Sequence, residues 1–366
     1  MTGPSNGVPS TSKSSKALGD RPLRCGVVGG GRMGRLHARV YANMPGCQLV
    51  GVVDNNPERA ETLAEQFGCK AFSTVEQLLA AGVDAASIAT PTTFHRASAE
   101  PLLRAGVACL VEKPLAGDVA ESKAIKAAAD STGAVLMVGH IERFNPIMRA
   151  LRRETGGGQE IIPRFIEVIR VSTMTFRSVD ISVVMDMMIH DLDVVIMLMG
   201  GREPDEIQAS GVAVITEHED LCNARLTWRL PTGPCVANIT CSRLAFKTER
   251  VTRITGENAY CKVDYGAKTG IIIRKTANAG QMTELRNMLR QGADLSSMKW
   301  SDLVQIEELK IDEGEPIVEE VKAFIHAVRT GQRPEVDAAA GLANVRTAER
   351  IIAACAKERA GATLGH

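Results

Sequence analysis

The sequence of 366 residues lacks an excess of charge of either sign, because 43 Lys and Arg residues balance 43 Asp and Glu residues. A balanced chain creates no strong field toward nucleic acid or an anionic membrane surface, so we expect neither as a partner. The chain also lacks an uncharged apolar run of about 18 residues, which a membrane-spanning helix requires. Its most apolar stretch, residues 183–200, is interrupted by Asp186, His190, Asp191 and Asp193.

The N-terminal 20 residues lack the apolar centre of a secretory signal peptide. They are rich in Ser, Gly and Pro, which predicts a disordered tail over residues 1–20. Cys-x-x-Cys pairs are missing as well, although the chain has nine cysteines. An odd number of scattered cysteines favours reduced thiols over a disulfide framework, so we expect a cytoplasmic protein.

An alternation of short apolar runs and helix-forming segments fills the first third of the chain. The apolar runs, typical of buried parallel strands, lie at 24–28, 48–54, 85–90, 108–114 and 134–139. The helix-forming segments are Met33–Met44, Pro57–Phe67, Val75–Ala81, His95–Ala105 and Asp118–Ser131. This order predicts an α/β fold, a doubly wound parallel sheet of the Rossmann type over residues 21–143.

Residues 144–366 show a different pattern. One strongly apolar helix is predicted at 183–199, followed by a series of strand-like runs and by two helices near 315–330 and 338–356. Strands in succession predict a second, α+β domain with a mostly antiparallel sheet. Residues 279–310 are polar and irregular, so we expect a loop or a partner contact there.

A glycine cluster lies where the first strand gives way to a helix. It fits the pattern G-x-G-x-x-G with Gly29, Gly30, Gly31, Arg32, Met33 and Gly34. Glycines here permit a tight turn, a close approach of a pyrophosphate and close packing of the helix on the strand. Asp54 ends the second strand, where its carboxylate can accept hydrogen bonds from an adenosine ribose, and Asn55 follows it. We therefore predict a dinucleotide site that favours NAD over NADP, although Arg59 lies close enough to bind a 2′-phosphate.

Glu112 and Lys113 follow another apolar run, in the segment VEKPL. Ligands of open α/β sheets bind outside the carboxyl ends of the strands, so both side chains are expected at the cofactor crevice. A partly buried lysine can exchange a proton with a hydroxyl. The alternative is an ordinary solvated lysine at a strand end.

Three ionisable residues recur on one face of the apolar helix: Asp186, His190 and Asp193. They are costly in an apolar setting unless they line a cleft or pair with one another. An imidazole beside a carboxylate can serve as a general base in a substrate cleft. A metal site and a satisfied buried polar cluster are the alternatives.

Two more polar segments are candidate site residues. The first comprises Thr90, Pro91, Thr92 and His95, which follow the apolar run 85–90 and are expected near the nicotinamide, unless they only cap the next helix. The second lies at the predicted domain junction, where we expect His140 and Arg143 to face the substrate.

Taken together, these segments resemble the glucose–fructose oxidoreductase, inositol dehydrogenase and rhizopine-catabolism (Gfo/Idh/MocA) family. The matching stretches are VVGGGRMGRLHA, VVDNNPERA, IATPTTFH, VEKPLA, VGHIERFNP, MIHDLDVVIMLMG and EPIVEEVKAFIHAVRTGQRPEVDAAAGL. They run in order from residue 23 to about residue 345.

The resemblance implies an NAD-dependent oxidoreductase of CH–OH groups, with an open-faced sheet in a second domain that binds a sugar and forms a homodimer or homotetramer. It implies that Lys113, Asp186 and His190 are catalytic, and it argues against a metal. The sequences of residues 139–146 and 186–193 look most like the branch that oxidises the 3-hydroxyl of UDP-N-acetylglucosamine. Alternatives are an inositol, glucose or dihydrodiol dehydrogenase, and a non-catalytic NAD-dependent sensor.

Overall fold

A computed structural model describes residues 20–154, 161–176, 179–296 and 298–363. The predicted disordered tail therefore lies outside the described residues, except for Asp20. The chain divides into two compact units. The first contains the residues up to 141 together with 315–346, and the second contains residues 142–314 and those from 347 onward.

The first unit is built on a six-stranded sheet with every strand pair parallel. Its strands are β1 (Leu23–Val28), β2 (Cys47–Val53), β3 (Lys70–Phe72), β4 (Ala85–Ile88), β5 (Ala108–Glu112) and β6 (Leu136–Gly139). Its helices are α1 (Arg32–Asn43), α2 (Pro57–Phe67), α3 (Val75–Ala80), α4 (His95–Arg104) and α5 (Val119–Thr132). The strand order β3-β2-β1-β4-β5-β6 is that of a doubly wound Rossmann sheet, which confirms the predicted fold class.

Helix ends in this unit follow from local chemistry. The Asn56 side chain accepts the backbone N–H of Arg59 at the start of α2, and Asp118 accepts that of Glu121 at the start of α5. Gly68 and Gly133 end the same two helices in the left-handed conformation, which costs glycine little. Strands β4, β5 and β6 are entirely buried, as expected for a sheet covered on both faces, whereas β3 at the edge has no buried residue.

Two features of this unit differ from the sequence predictions. Strand β3 was not predicted, since three residues give too short a pattern to recognise. The predicted boundary at 143 lies close to the observed one at 141, but residues 315–346 belong to the first unit rather than the second. Helix α9 (Pro316–Thr330) packs against α1, and Asp337 pairs with Met137 of β6.

The second unit contains an eight-stranded sheet. Its strands are β7 (Pro163–Val171), β8 (Glu206–Val212), β9 (Leu221–Leu230), β10 (Gly233–Ser242), β11 (Glu249–Gly256), β12 (Ala259–Asp264), β13 (Thr269–Lys275) and β14 (Val304–Glu308). Its helices include α6 (Pro146–Glu154), α7 (Ile189–Leu198), α8 (Ala279–Arg290) and most of α10 (Ala338–Thr363). The sheet order is β14-β13-β12-β11-β7-β10-β9-β8, and only the β7–β10 pair is parallel. The mostly antiparallel α+β prediction is confirmed.

The segment 279–310 is more regular than predicted. Residues Ala279–Arg290 form α8, which begins with a capping box between Asn278 and Gln281. Val304–Glu308 then forms β14 at the edge of the sheet. The prediction of an irregular loop was wrong: Met282, Leu285 and Met288 recur at the spacing of one helix face, but the polar residues around them obscured this pattern.

No helix in the part of the chain that the structure describes is long and apolar enough to cross a membrane.

Candidate active site

The loop after β1 has the geometry of a phosphate cradle. Gly29 has a φ of 97°, a conformation that favours glycine. A Cβ on Gly34 would lie 1.7 Å from the carbonyl oxygen of Gly29, whereas a Cβ on Gly31 would meet no atom within 4 Å. Gly34 is therefore required by the fold, and Gly31 leaves open space at the start of α1. The first N–H groups of α1 have no side-chain cap, so they and the helix dipole favour an anion there.

Asp54 joins this loop to the end of β2. Its Oδ2 accepts the backbone N–H of Gly30 at 2.7 Å, and its Oδ1 accepts that of Asn56 at 2.8 Å. The Arg59 guanidinium lies 3.4 Å from Oδ2 and is half exposed. The carboxylate is thus fixed beside the glycine loop, where an adenosine ribose would approach it.

A cavity of about 640 Å³ opens beside these groups. The predicted cofactor residues on its lining are Gly29, Gly31, Arg32, Met33, Asp54, Asn55, Thr90 and Pro91. The Thr90 hydroxyl is buried and has no hydrogen-bond partner among the residues described, so it is available to a ligand. A glycine cradle, a strand-end carboxylate and a buried hydroxyl around one cavity fit NAD.

Sequence reasoning missed part of this lining. Ser73 and Thr74 follow the unpredicted strand β3, and Phe94 lies on the short helical turn before α4 with 56% of its surface exposed. Recognition of β3 would have revealed Ser73 and Thr74, because they occupy the carboxyl end of a strand beside β2.

His95 lies beneath the cavity instead of on its surface. Its ring is 1% exposed, and its two nitrogens lie 3.0 Å from the carbonyl oxygens of Pro114 and Thr90. Burial lowers the pKa of His95, so the ring is neutral and donates one hydrogen bond. His95 thus connects Thr90 to Pro114, the residue that follows Lys113. Thr92 begins the short helical turn that precedes α4.

Lys113 follows the last residue of β5 and is partly exposed. The peptide bond from Lys113 to Pro114 is cis. Glu112 is buried, and its Oε1 lies 2.8 Å from Nε2 of His37. His140, one residue beyond β6, is also buried.

In the second unit, the apolar helix begins with a π-helical turn, Val184–Met188, before α7. Such turns change the direction of side chains and often occur at functional sites. Within 183–194, the partly exposed residues are Asp186, Met187 and His190, whereas Asp193 is buried. The three residues of the predicted stripe therefore differ in burial: Asp186 and His190 are partly exposed, and Asp193 is buried.

Two buried ion pairs hold α7 just after His190. Arg170 on β7 donates from Nε to Asp191 Oδ2 at 2.7 Å and from Nη2 to Glu142 Oε1 at 3.0 Å. Burial alone would lower the pKa of Arg170, but the charges of Asp191 and Glu142 outweigh it and raise that pKa.

Arg143 forms a second bidentate pair with Asp193, with N–O distances of 2.7 and 2.6 Å. Both side chains are buried. The structure thus brings these two predicted substrate residues together as partners, and a contact of either with substrate stays a prediction.

Residues 23–140 match the profile of an oxidoreductase family with an NAD-binding Rossmann fold, and residues 175–262 match the C-terminal domain of the same Gfo/Idh/MocA family. UDP-N-acetylglucosamine 3-dehydrogenase of Acidithiobacillus ferrooxidans is 39% identical over 274 residues, which are 75% of this chain and 83% of that protein. The chain belongs to the Gfo/Idh/MocA family. It is an NAD-dependent oxidoreductase that acts on CH–OH groups.

Other Gfo/Idh/MocA members show how far the similarity extends. A solved structure of the Acidithiobacillus ferrooxidans enzyme is 35% identical, covers 91% of this chain and 97% of its own, and has a TM-score of 0.78. Inositol 2-dehydrogenase of Rhizobium meliloti is 33% identical over 203 residues, 53% of this chain and 59% of that protein. The family and its cofactor are therefore clear, and its members act on different small-molecule alcohols.

Proposed function

We propose that the chain oxidises the 3-hydroxyl of UDP-N-acetylglucosamine to the 3-keto nucleotide sugar with NAD. The observation that carries the proposal is the similarity to UDP-N-acetylglucosamine 3-dehydrogenase, which extends over both units rather than over the Rossmann unit alone. In sequence, inositol dehydrogenases match a shorter part of the chain. An inositol dehydrogenase is accordingly the second candidate function.

We assign removal of the hydroxyl proton to His190, with Asp186 and Lys113 in supporting roles. His190, oriented by Asp186, takes the proton of the hydroxyl, and Lys113 polarises the hydroxyl oxygen. The partial exposure of Asp186 and His190 on an otherwise buried helical segment supports this assignment. NAD, when bound in the glycine cradle, supplies the acceptor for the hydride. Buried ion pairs on Asp191 and Asp193 hold the helix that carries the imidazole.

A substrate panel with two variants tests the proposal. NADH absorbance is followed with UDP-N-acetylglucosamine, free sugars and myo-inositol, each with NAD and with NADP. We expect UDP-N-acetylglucosamine with NAD to give the highest kcat/KM. We expect Lys113→Met and His190→Ala to lower turnover by ~10²-fold or more, because each removes a group that acts on the proton. NAD should still raise the Tm of both variants, since neither alters the glycine cradle.

The controls are Lys126→Met, on the exposed side of α5, and His326→Ala, on the exposed side of α9. Both should keep the turnover of the wild type. Higher kcat/KM for myo-inositol would establish the second candidate function. Tight NAD binding without turnover of any alcohol would favour the sensor, and near-normal turnover of both active-site variants would remove Lys113 and His190 from the mechanism. A cytoplasmic location and a homo-oligomer stay predictions.

A further inference from the structure

Three ionisable residues from distant parts of the chain meet inside the first unit. We name them the buried carboxyl cluster: His37 on α1, Glu112 at the end of β5 and Glu320 on α9. They are 0%, 9% and 0% exposed. One nitrogen or oxygen atom of each lies within 4.8 Å of the other two. The proposed mechanism uses none of them, yet Glu112 directly precedes Lys113.

Hydrogen bonds hold His37 beside Glu112. Its Nε2 lies 2.8 Å from Glu112 Oε1, and its Nδ1 lies 3.2 Å from the Ser87 hydroxyl, which lies 2.8 Å from the Tyr41 hydroxyl. A carboxylate only accepts, so Nε2 carries a hydrogen and donates it to Glu112. Burial raises the pKa of Tyr41 well above its ordinary value, so its phenol stays protonated. The hydrogen bonds of His37 therefore go to Glu112 and Ser87 and not to Glu320.

Glu320 is the residue that needs an explanation. Neither of its carboxyl oxygens has a hydrogen-bond partner among the described residues, and its side chain is fully buried. An ionised carboxylate in that position would be desolvated beside the charge of Glu112. Burial and the charge of Glu112 both raise the pKa of Glu320 well above its ordinary value.

We propose that Glu320 is a neutral carboxylic acid in the folded protein and that it positions Glu112, so that the two carboxyl groups together hold one proton and one negative charge immediately before Lys113. Like-charge carboxyl pairs in other sites behave in this way because both cannot ionise at close range. The proposed charge state of Glu320 does not depend on the proposed function. The proposal that Glu320 positions Glu112 beside Lys113 rests on the proposed function.

The charge state is tested first with the full-length protein. An infrared difference spectrum, wild type minus Glu320→Gln, should contain the C=O stretch of a protonated carboxylic acid at pH 8. A group with a raised folded pKa stabilises the protein less as the pH rises above the unfolded value, and an amide does not titrate. The Tm of Glu320→Gln should therefore exceed that of the wild type by about 2 °C or more at pH 8, and by less at pH 5.

Glu319→Gln is the matched control, because it makes the same change on the same helix at a residue whose carboxylate pairs with Lys322 near the surface at 2.9 Å. It should show neither the carbonyl band nor the pH-dependent gain. A lower Tm for Glu320→Gln at pH 8, or a stoichiometric divalent cation in metal analysis whose removal by EDTA lowers the Tm, would overturn the proposal in favour of an ionised Glu320.

Positioning is tested by the pH profile of turnover. Glu320→Gln keeps a neutral polar group beside Glu112, so its acid limb should coincide with that of the wild type. Glu320→Leu puts an apolar group there, which makes a negative charge in the cluster more costly, so the acid limb should move upward by about one pH unit. If the acid limb of the pH profile does not move in a folded Glu320→Leu variant, Glu320 only packs in the interior and does not position Glu112. Loss of the proposed activity altogether would leave the infrared and Tm results unaffected.

Discussion

The position of His190 depends on residues that need not touch a substrate. Asp191 and Asp193 follow His190 on α7, and each binds an arginine with both carboxylate oxygens. Arg170 comes from β7 and Arg143 from the short turn before α6. Because both pairs are buried, α7 cannot rotate without exposing or separating opposite charges. The helix that carries the proposed general base is thus held by electrostatics as well as by apolar packing.

Asp191→Asn tests this contribution. The substitution removes the charge that Arg170 binds and leaves the guanidinium with Glu142 alone. We expect a loss of about 3–5 kcal/mol in the free energy of unfolding, the usual cost of breaking a buried ion pair. We also expect a lower kcat at an unchanged Kd for NAD, because the cofactor cradle belongs to the other unit. Denaturant unfolding and steady-state kinetics measure both effects.

Asp130→Asn is the control for this prediction, since Asp130 is exposed and pairs with Lys126 one turn away on α5. Its effect on stability should stay below about 0.5 kcal/mol. An equally small effect of Asp191→Asn would show that the Arg170 pair does not hold α7.

Single residues also show why one member of the predicted stripe, Asp193, differs from the other two. The sequence predicted Asp186, His190 and Asp193 on one face, from a uniform helical period. The π turn at Val184–Met188 changes that period, and Asp193 is buried whereas Asp186 and His190 are partly exposed. Arg143, the partner of Asp193, lies 50 residues away in sequence, and nothing local indicates such a pairing.

At the scale of elements, the glycines between β1 and α1 have different roles. Gly34 is required by the packing of the fold, and Gly31 leaves open space at the proposed pyrophosphate site. Gly31→Ala adds a methyl group that meets no protein atom, so the Tm should change little. If a pyrophosphate approaches this backbone, the same methyl group should weaken NAD binding by about tenfold or more, which corresponds to about 1.4 kcal/mol. Fluorescence titration with NAD and thermal unfolding without NAD measure the two effects separately.

Gly34→Ala is the contrasting variant, because its methyl group would lie 1.7 Å from the Gly29 carbonyl oxygen. It should lower the Tm even without NAD. Gly117→Ala, whose methyl group also meets open space, is the neutral control. Wild-type NAD affinity in Gly31→Ala would place the pyrophosphate elsewhere.

Elements with a strong pattern were predictable, and those with a weak one were not. Buried strands such as β5 and capped helices such as α2 have apolar runs or start and stop residues that act locally. Strand β3 has three residues, and none of the residues of α8 is fully buried. The positions of β3 and α8 depend on contacts with neighbouring strands and loops. The local sequence does not reveal those contacts.

At the scale of the whole molecule, the fold class was predictable and the path of the chain was only partly so. The alternation of strands and helices is a local property repeated along the sequence, and it led to the Rossmann sheet. The return of residues 315–346 to the first unit depends on the apolar side of α9 packing on α1, more than 270 residues earlier. A helix pattern reveals its apolar face but not the surface that this face covers.

The stability of the whole chain in acid should depend on buried carboxylates whose ionised forms are well bound. Asp220 is fully buried, binds Arg243 at 2.8 Å and accepts the backbone N–H groups of Val214, Ile215 and Thr216. Burial alone would raise the pKa of Asp220, but these hydrogen bonds outweigh it and lower that pKa. A lowered pKa contributes stability above the unfolded value, and this contribution is lost as the pH falls.

We therefore expect Asp220→Asn to lose about 3–5 kcal/mol at pH 7, since it leaves the buried Arg243 without its charge partner. The difference from the wild type should shrink progressively below about pH 4, where the unfolded chain takes up a proton at this carboxylate. Denaturant unfolding from pH 3 to pH 8 measures it, with the exposed Asp312→Asn as the control. A difference that stays constant with pH would mean that Asp220 stabilises the chain by its shape and not by its charge, because only a titrating group produces the convergence.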